Sequence, residues 1–246
     1  MLDQETLTKI RTMRLPGMAA ALEAQHHDTH YVTLSFEERL ALVIDAEWLY
    51  RQNQSLSARL GKAKLKISAA CLENLDQSPK RNLDGAQIRQ LKSGKWIEAH
   101  HNVIISGKTG SGKTYLACAL AQQACRDGYR ALYRRAPRFA DELAIARADG
   151  SYGKLLATIA RSHVLIIDDW GLAPLKDQER RDFLEVFEDR YGATSTIITS
   201  QLDVEHWHEA IGDPTIADAI CDRLVHNAYR VKLEAVESKR KEEAKK

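Results

Sequence analysis

The eight residues Gly107-Lys108-Thr109-Gly110-Ser111-Gly112-Lys113-Thr114 constrain this chain more than any other stretch of it. They follow the apolar run Val103-Ile104-Ile105 and precede the helical pattern Tyr115-Leu116-Ala117-Cys118-Ala119-Leu120, so a strand enters the loop and a helix leaves it. In that setting the glycines let backbone N–H groups turn inward around phosphates, and the helix N-terminus adds positive potential. Lys113 reaches the outer phosphates and the Thr114 hydroxyl ligates magnesium. The spacing therefore predicts a site for ATP and Mg2+ whose phosphate contacts run from Gly107 to Thr114.

Such a loop needs a second carboxylate-bearing strand. Val164-Leu165-Ile166-Ile167 is an unbroken apolar run, as a strand buried on both faces requires, and it ends in Asp168-Asp169. Asp168 is expected to hold the metal, and Asp169 to orient or deprotonate the attacking water. Thr196-Ile197-Ile198-Thr199-Ser200-Gln201 reads as another central strand, with Ser200 and Gln201 at its polar end either touching the γ-phosphate or simply hydrogen-bonding there. Arg223 falls on a helix just before the last apolar run, where its guanidinium can either lie on the surface or project into a neighbouring subunit's site.

Around these motifs, Asn102–Ser106, Arg130–Tyr133, Val164–Asp168, Thr196–Ser200 and Ala228–Leu233 alternate with helical patterns, which predicts an α/β fold with a five-stranded parallel sheet flanked by helices. Residues 1–75 read as a small all-helical N-terminal domain, broken at Leu15-Pro16-Gly17. A capping box of Ser35 and Glu38 opens a helix near Phe36, and Leu40, Val43, Ile44 and Trp48 on one face are expected to pack. The polar stretch Asp76–Gly85 marks the boundary to a core over 76–236, and 237–246 reads as a charged tail.

The 246 residues carry a formal net charge of only +2, so nucleic-acid binding has to rest on local basic patches. Two exist. Arg134, Arg135 and Arg138, with Arg147 and Lys154 further on, surround the second strand and the helical segment after it; Arg59, Lys62 and Lys64 come after the acidic first half of the N-terminal helix. Either set suits phosphate contacts without base reading, or a solvated helix face. The four cysteines form no CxxC pair and read as reduced core thiols of a cytoplasmic protein. His26, His27, His30, His206 and His208 fit no metal-ligand spacing and read as exposed or capping residues. No apolar run is long enough for a secretory leader or a membrane span.

The order of these elements resembles the initiator clade of AAA+ ATPases, and within it the IstB-like helper ATPases of insertion-sequence transposition, with DnaC-type helicase loaders and DnaA-type initiators as relatives. The resemblance covers nearly the whole chain: the helical N-terminal region, Asn82–Arg89, the phosphate loop, Asp168-Asp169, Ser200-Gln201 and Asp222-Arg223-Leu224. It implies an ATPase that assembles with copies of itself on duplex DNA, recruits a transposase, uses Arg223 as an arginine finger in trans, and has Ser200 or Gln201 as its first sensor. Asp169 stands where the wider AAA+ pattern has Glu, which points to slow or partner-dependent hydrolysis, and little of the chain is left for a C-terminal lid. Two other readings stay open: a helicase loader preferring single-stranded DNA, and a monomeric P-loop kinase.

Overall fold

A computed structural model describes residues 4–76 and 83–234. The charged tail and most of the Asp76–Gly85 stretch lie outside them. The chain divides into two compact units, Met1–Ala58 and Arg59–Lys246.

The first unit is helical. Helix α1 spans Gln4–Thr12 and α2 spans Pro16–His27; between them Arg14 takes a positive φ and Pro16 opens α2 in the first turn, where its missing N–H costs nothing. After a short 3-10 turn, α3 runs from Phe36 to Ala63. Its capping box is present as the sequence predicts: Glu38 N–H donates to Ser35 Oγ at 3.2 Å, and Ser35 N–H donates to the Glu38 carboxylate at 2.8 Å. Helices α2 and α3 cross where a Cβ on Gly17 would lie 2.7 Å from both the Ala46 carbonyl oxygen and the Glu47 Cα. Buried Glu47 uses that proximity, accepting from Gly17 N–H (2.8 Å) and Met18 N–H (3.2 Å) and so capping α2 from across the interface. The hydrogen bond from Arg51 leads the contacts that hold the Glu47 carboxyl below its ordinary value.

On α3 the structure departs from the expected packing. The face that packs carries Val43 and Glu47, while Leu40, Ile44 and Trp48 are exposed, Trp48 by 60%. With Phe36 they form a row at four-residue spacing. Burial tracks the side that α2 can reach through Gly17, and a single layer covers only one side of so long a helix.

In the second unit, the stretch from Arg59 to Asp76 belongs with the core rather than with the N-terminal helices. The physical ties are an Arg59 Nε donation to the Cys125 carbonyl (2.8 Å) and the burial of Ala63, Ala70 and Leu72. Then come α4 (Gly85–Lys92), α5 (Lys95–Glu98), β1 (Asn102–Gly107), α6 (Lys113–Arg126), β2 (Ala131–Arg135), α7 (Ala136–Asp149), α8 (Tyr152–Ala160), β3 (Val164–Trp170), α9 (Asp177–Arg190), β4 (Ser195–Ser200), α10 (Trp207–Ile211), α11 (Pro214–Val225) and β5 (Ala228–Leu233).

All strand pairs are parallel, in the order β2-β3-β4-β1-β5. The most apolar runs, in β1, β3 and β4, therefore take the central positions, and the carboxyl ends of the strands line up where Gly107, Arg135, Asp168 and Ser200 emerge. Directly beyond the Asp168-Asp169 pair, buried Trp170 sits at ring distances of 5.0 Å to Phe183, 5.7 Å to Phe187 and 6.1 Å to Trp207. That aromatic cluster fixes the end of β3. At the opposite end of the sheet Arg190 is wholly buried and donates to the carbonyls of Ile159, Ser162 and Ser195 and to the Thr196 hydroxyl, joining α8, α9 and β4. Burial pulls its pKa down to about 9, so it stays charged at neutral pH. No helix among the described residues is long and apolar enough to cross a membrane.

Candidate functional site

The loop after β1 is shaped by backbone demands. Gly107, Gly110 and Gly112 all have positive φ, and a Cβ on Gly107 would overlap the Leu233 carbonyl of the adjacent β5, so only glycine fits there. The loop is buttressed from below by Asp203, which accepts from Ser106 Oγ (3.0 Å) and from Lys232 Nζ (2.7 Å) and thereby ties the ends of β1 and β5 together. The Lys232 hydrogen bond is the main reason the Asp203 carboxyl lies below its ordinary pKa.

Lys113 Nζ donates back to the carbonyls of Gly107 (2.6 Å) and Lys108 (2.9 Å), closing the loop on itself. Burial lowers its pKa, and the nearby charges of Asp169 and Asp168 work against that shift. The Ser111 hydroxyl is buried in the same loop, and no hydrogen-bond partner meets it among the described residues.

Asp168 is the centre of the polar network. It is completely buried, and its carboxylate accepts from Thr199 Oγ1 (2.5 Å), Tyr133 Oη (2.6 Å) and Thr114 Oγ1 (2.9 Å), with Lys66 Nζ at 3.5 Å. Burial alone raises a carboxyl pKa; here the three hydroxyl donors outweigh it and the net shift is downward. The Tyr133 hydroxyl, half-buried and bonded to that carboxylate, is pushed up correspondingly.

Asp169 is held differently. Its φ of 62° places a non-glycine residue in the left-handed region, at an irregularity in the β3–β4 register between Ile167 and Trp170. Its N–H donates to Thr199 Oγ1 at 3.1 Å, and its carboxylate takes Arg135 Nε at 2.6 Å. The kink separates the two carboxylates, one turned to Thr114 and the other to the end of β2.

Strand alternation decides the fate of the polar end of β4. Thr199 faces Asp168, whereas Ser200 faces the other way, donating to the Trp170 carbonyl (2.9 Å) and accepting from Leu202 N–H (3.0 Å). Gln201 returns to the phosphate loop, its Oε1 accepting from Thr109 Oγ1 at 2.9 Å. A cavity of about 480 Å³ runs along the loop, bounded by Lys66, Lys113, Thr114, Arg135, Asp169 and Gln201. An ammonium, a hydroxyl paired with a carboxylate, an unpartnered buried hydroxyl and a glycine cradle together fit a nucleoside triphosphate with a divalent cation.

The remaining expected residues fall elsewhere. Arg223 lies on α11 in ion pairs with Glu188 and Asp222, away from this cavity. Arg134 makes a bidentate pair with Glu142 (2.6 and 3.0 Å), and Arg147 contacts Asp182 and Glu185 while its guanidinium lies 3.7 Å from the centre of the Tyr152 ring. Together with Arg135 on Asp169 and Arg59 on Cys125, half of the basic residues singled out from sequence are engaged within the fold. Lys62, Lys64, Arg138 and Lys154 are exposed. Sequence reasoning missed Lys66, Tyr133 and Thr199 as site residues, and Arg135 as a partner of Asp169. The only signal for Tyr133 and Arg135 was their two-residue spacing at the end of a strand.

Comparison with known proteins agrees with this geometry. A protein of Sinorhizobium fredii named as an insertion-sequence ATP-binding protein, y4pL, is 49% identical over 245 residues, covering all of both chains. A Pseudomonas fluorescens protein named as the ATP-binding protein of insertion sequence IS1162 is 50% identical over 202 residues, covering 82% of this chain and 87% of its own. Among solved structures, DnaI superposes with a TM-score of 0.58 at 21% identity, covering 67% of this chain and 91% of its own, and the DnaC helicase loader with 0.55 at 20%, covering 71% and 98%. Those structures share the fold. The family model described as IstB-like ATP binding protein matches residues 8–246, and the chain belongs to that family.

Proposed function

We propose that this chain is an ATP-dependent helper of DNA transposition: copies bind ATP with Mg2+, assemble on duplex DNA, select or reshape the target and recruit and regulate a transposase. The observation that carries the reading is the contact of Thr114 with Asp168 beside Lys113, in a chain that matches the IstB-like family from residue 8 to its end.

Each group at the site then has its own task. Backbone N–H groups from Gly107 to Gly112 cradle the phosphates, and Lys113 leaves its loop carbonyls for the outer phosphate oxygens. Thr114 and Asp168 would hold the metal, which would supply positive charge against the phosphates. Asp169 orients the attacking water and takes its proton, and Gln201, already at the loop, senses the terminal phosphate. Arg223 completes the site of a neighbouring copy. Hydrolysis is slow, because Asp169 is paired with Arg135 and sits on a kinked backbone; partner or DNA binding that draws Arg135 away frees the carboxylate.

DNA contacts fall to exposed cations, Lys62, Lys64, Arg138 and Lys154, through phosphates and without base reading. The helical region before the core, with its exposed row of Phe36, Leu40, Ile44 and Trp48, serves partner contacts. Free cysteines suit the reducing cytoplasm as its place of action.

The test is sedimentation of the purified protein with duplex or single-stranded DNA, with and without a non-hydrolysable ATP analogue, at low and moderate salt. Large complexes that need both nucleotide and duplex are expected. A preference for single strands, or no assembly under any condition, would overturn the reading in favour of a helicase loader or a monomeric enzyme.

A further inference from the structure

The segment that leaves α3 does not wander over the surface. Lys64, just past the last helical residue, has a φ of 51°, the left-handed turn that stops a helix and redirects the chain. The residues after it are fastened onto α6, one and two turns beyond the phosphate loop. The buried Cys118 sulfur lies against the backbone of Lys66 and Ile67, and the Tyr115 hydroxyl brackets the backbone of Cys71, donating to its carbonyl at 3.2 Å and accepting from its N–H at 3.4 Å. Ala63 and Ala70 are fully buried on either side. Residues 64–71 are thus a strap clamped to the helix that carries Lys113 and Thr114.

The strap places one charged side chain at the site. Lys66 lines the same cavity as Lys113, Thr114 and Asp169, and its Nζ lies 3.5 Å from Asp168 Oδ2. Asp168 Oδ1 is shared between Thr114 and Thr199, while Oδ2 has Tyr133 and Lys66. The side chain is 41% exposed on its side of the cavity, so it is free to swing without disturbing the core. Lys113 and Lys66 therefore approach the triphosphate end from two different parts of the chain.

Resting on the reading of this site as one for ATP, we propose that Lys66 is a built-in counter-cation of the triphosphate site. It screens Asp168 from the phosphates when no divalent metal is bound, and yields that place when the metal enters. The physical reason is charge balance. A triphosphate beside Asp168 and Asp169 meets two carboxylates; Arg135 pairs with Asp169, which leaves Lys113 to offset both Asp168 and the phosphates, more negative charge than one ammonium balances. A metal ion on the Asp168 side and an ammonium at Oδ2 repel one another, so the two cations compete for that carboxylate. The consequence is a site that keeps hold of nucleotide as metal comes and goes, at the expense of metal affinity.

The experiment is equilibrium titration of the full-length protein with ATP, in EDTA and in saturating Mg2+, for wild type, Lys66→Met and Lys66→Arg. Circular dichroism serves as the folding control. Lys66→Met is expected to weaken ATP binding in EDTA by about tenfold, the loss of one charge-assisted contact, and binding in Mg2+ by less than about threefold. It should also lower the Mg2+ concentration that gives half of the metal's effect, and Lys66→Arg should restore metal-free binding. Equal losses in both buffers, or no loss in either, overturn the inference while leaving the ATP site itself intact. A wild type that binds ATP in neither buffer overturns both.

Discussion

At the scale of single residues, the site's electrostatics turn on a carboxylate that has no contact with water. Asp168 stays ionised because the hydroxyls of Thr199, Tyr133 and Thr114 replace the hydration it loses, with Lys66 adding positive charge. A carboxyl whose folded pKa lies below its unfolded value contributes stability in full above about pH 4, and that contribution is lost as the pH falls through the folded value. Asp168→Asn is therefore expected to flatten the dependence of stability on pH below about pH 4, with no change in slope between about pH 5 and about pH 8. Urea unfolding at a series of pH values checks this, and an unchanged acid slope in the variant would contradict it. Lys113 provides a second case. Its ammonium is bound to two loop carbonyls, so Lys113→Ala removes that donor from both, leaving the Lys108 carbonyl with the Ser111 N–H, and removes the phosphate contact as well. The expected result is a fold intact by circular dichroism, a stability loss of about 1–2 kcal/mol, and ATP affinity reduced by roughly a hundredfold or more.

At the scale of elements, two glycines in helices make opposite predictions. Gly17 stands where α2 meets α3, with backbone atoms of Ala46 and Glu47 on the Cβ position, so Gly17→Ala forces the helices apart and should cost about 1–3 kcal/mol. Gly61, inside α3, has nothing within 4 Å of its Cβ position, so Gly61→Ala should gain about 0.5–1 kcal/mol from helix propensity. Thermal unfolding of the two variants beside wild type decides both signs. Local and tertiary causes also divide the features that sequence shows from those it hides. The Ser35–Glu38 capping box, the Leu15-Pro16-Gly17 break, the strand–loop–helix around Lys113 and the apolar run before Asp168 are local patterns, and each appears as read. Strand β2 was legible only as far as Tyr133; it continues to Arg135 because the sheet sets Arg135 beside Asp168, a pairing that no local pattern encodes. The same holds for Thr199, a hydroxyl between the apolar pair Ile197-Ile198 and the polar strand end, and for Lys66, which lies 102 residues from its carboxylate. On α3 the apolar spacing was real, but more than one side of the helix is apolar and only the tertiary arrangement chooses which is covered.

At the scale of the whole molecule, the proposed activity rests on a site that one copy begins and another completes. Within the chain, the phosphate loop has Lys113, Thr114, Asp168 and Asp169 gathered around one cavity, while Arg223 stands apart on α11 with Glu188 and Asp222 as its partners. Under the proposed function, an arginine so placed acts on a phosphate when another copy brings its own loop to it, and nucleotide turnover then depends on assembly. The direct test mixes two inactive variants. Lys113→Ala has a disabled loop but an intact Arg223; Arg223→Ala has an intact loop but no finger to give. Measured with duplex DNA over a range of protein concentrations, each alone is expected to hydrolyse ATP at least about tenfold more slowly than wild type. Their mixture should regain activity, because Arg223 of the first then serves the loop of the second. A mixture no faster than its parts, or an Arg223→Ala protein that matches wild type at every concentration, would contradict the shared site.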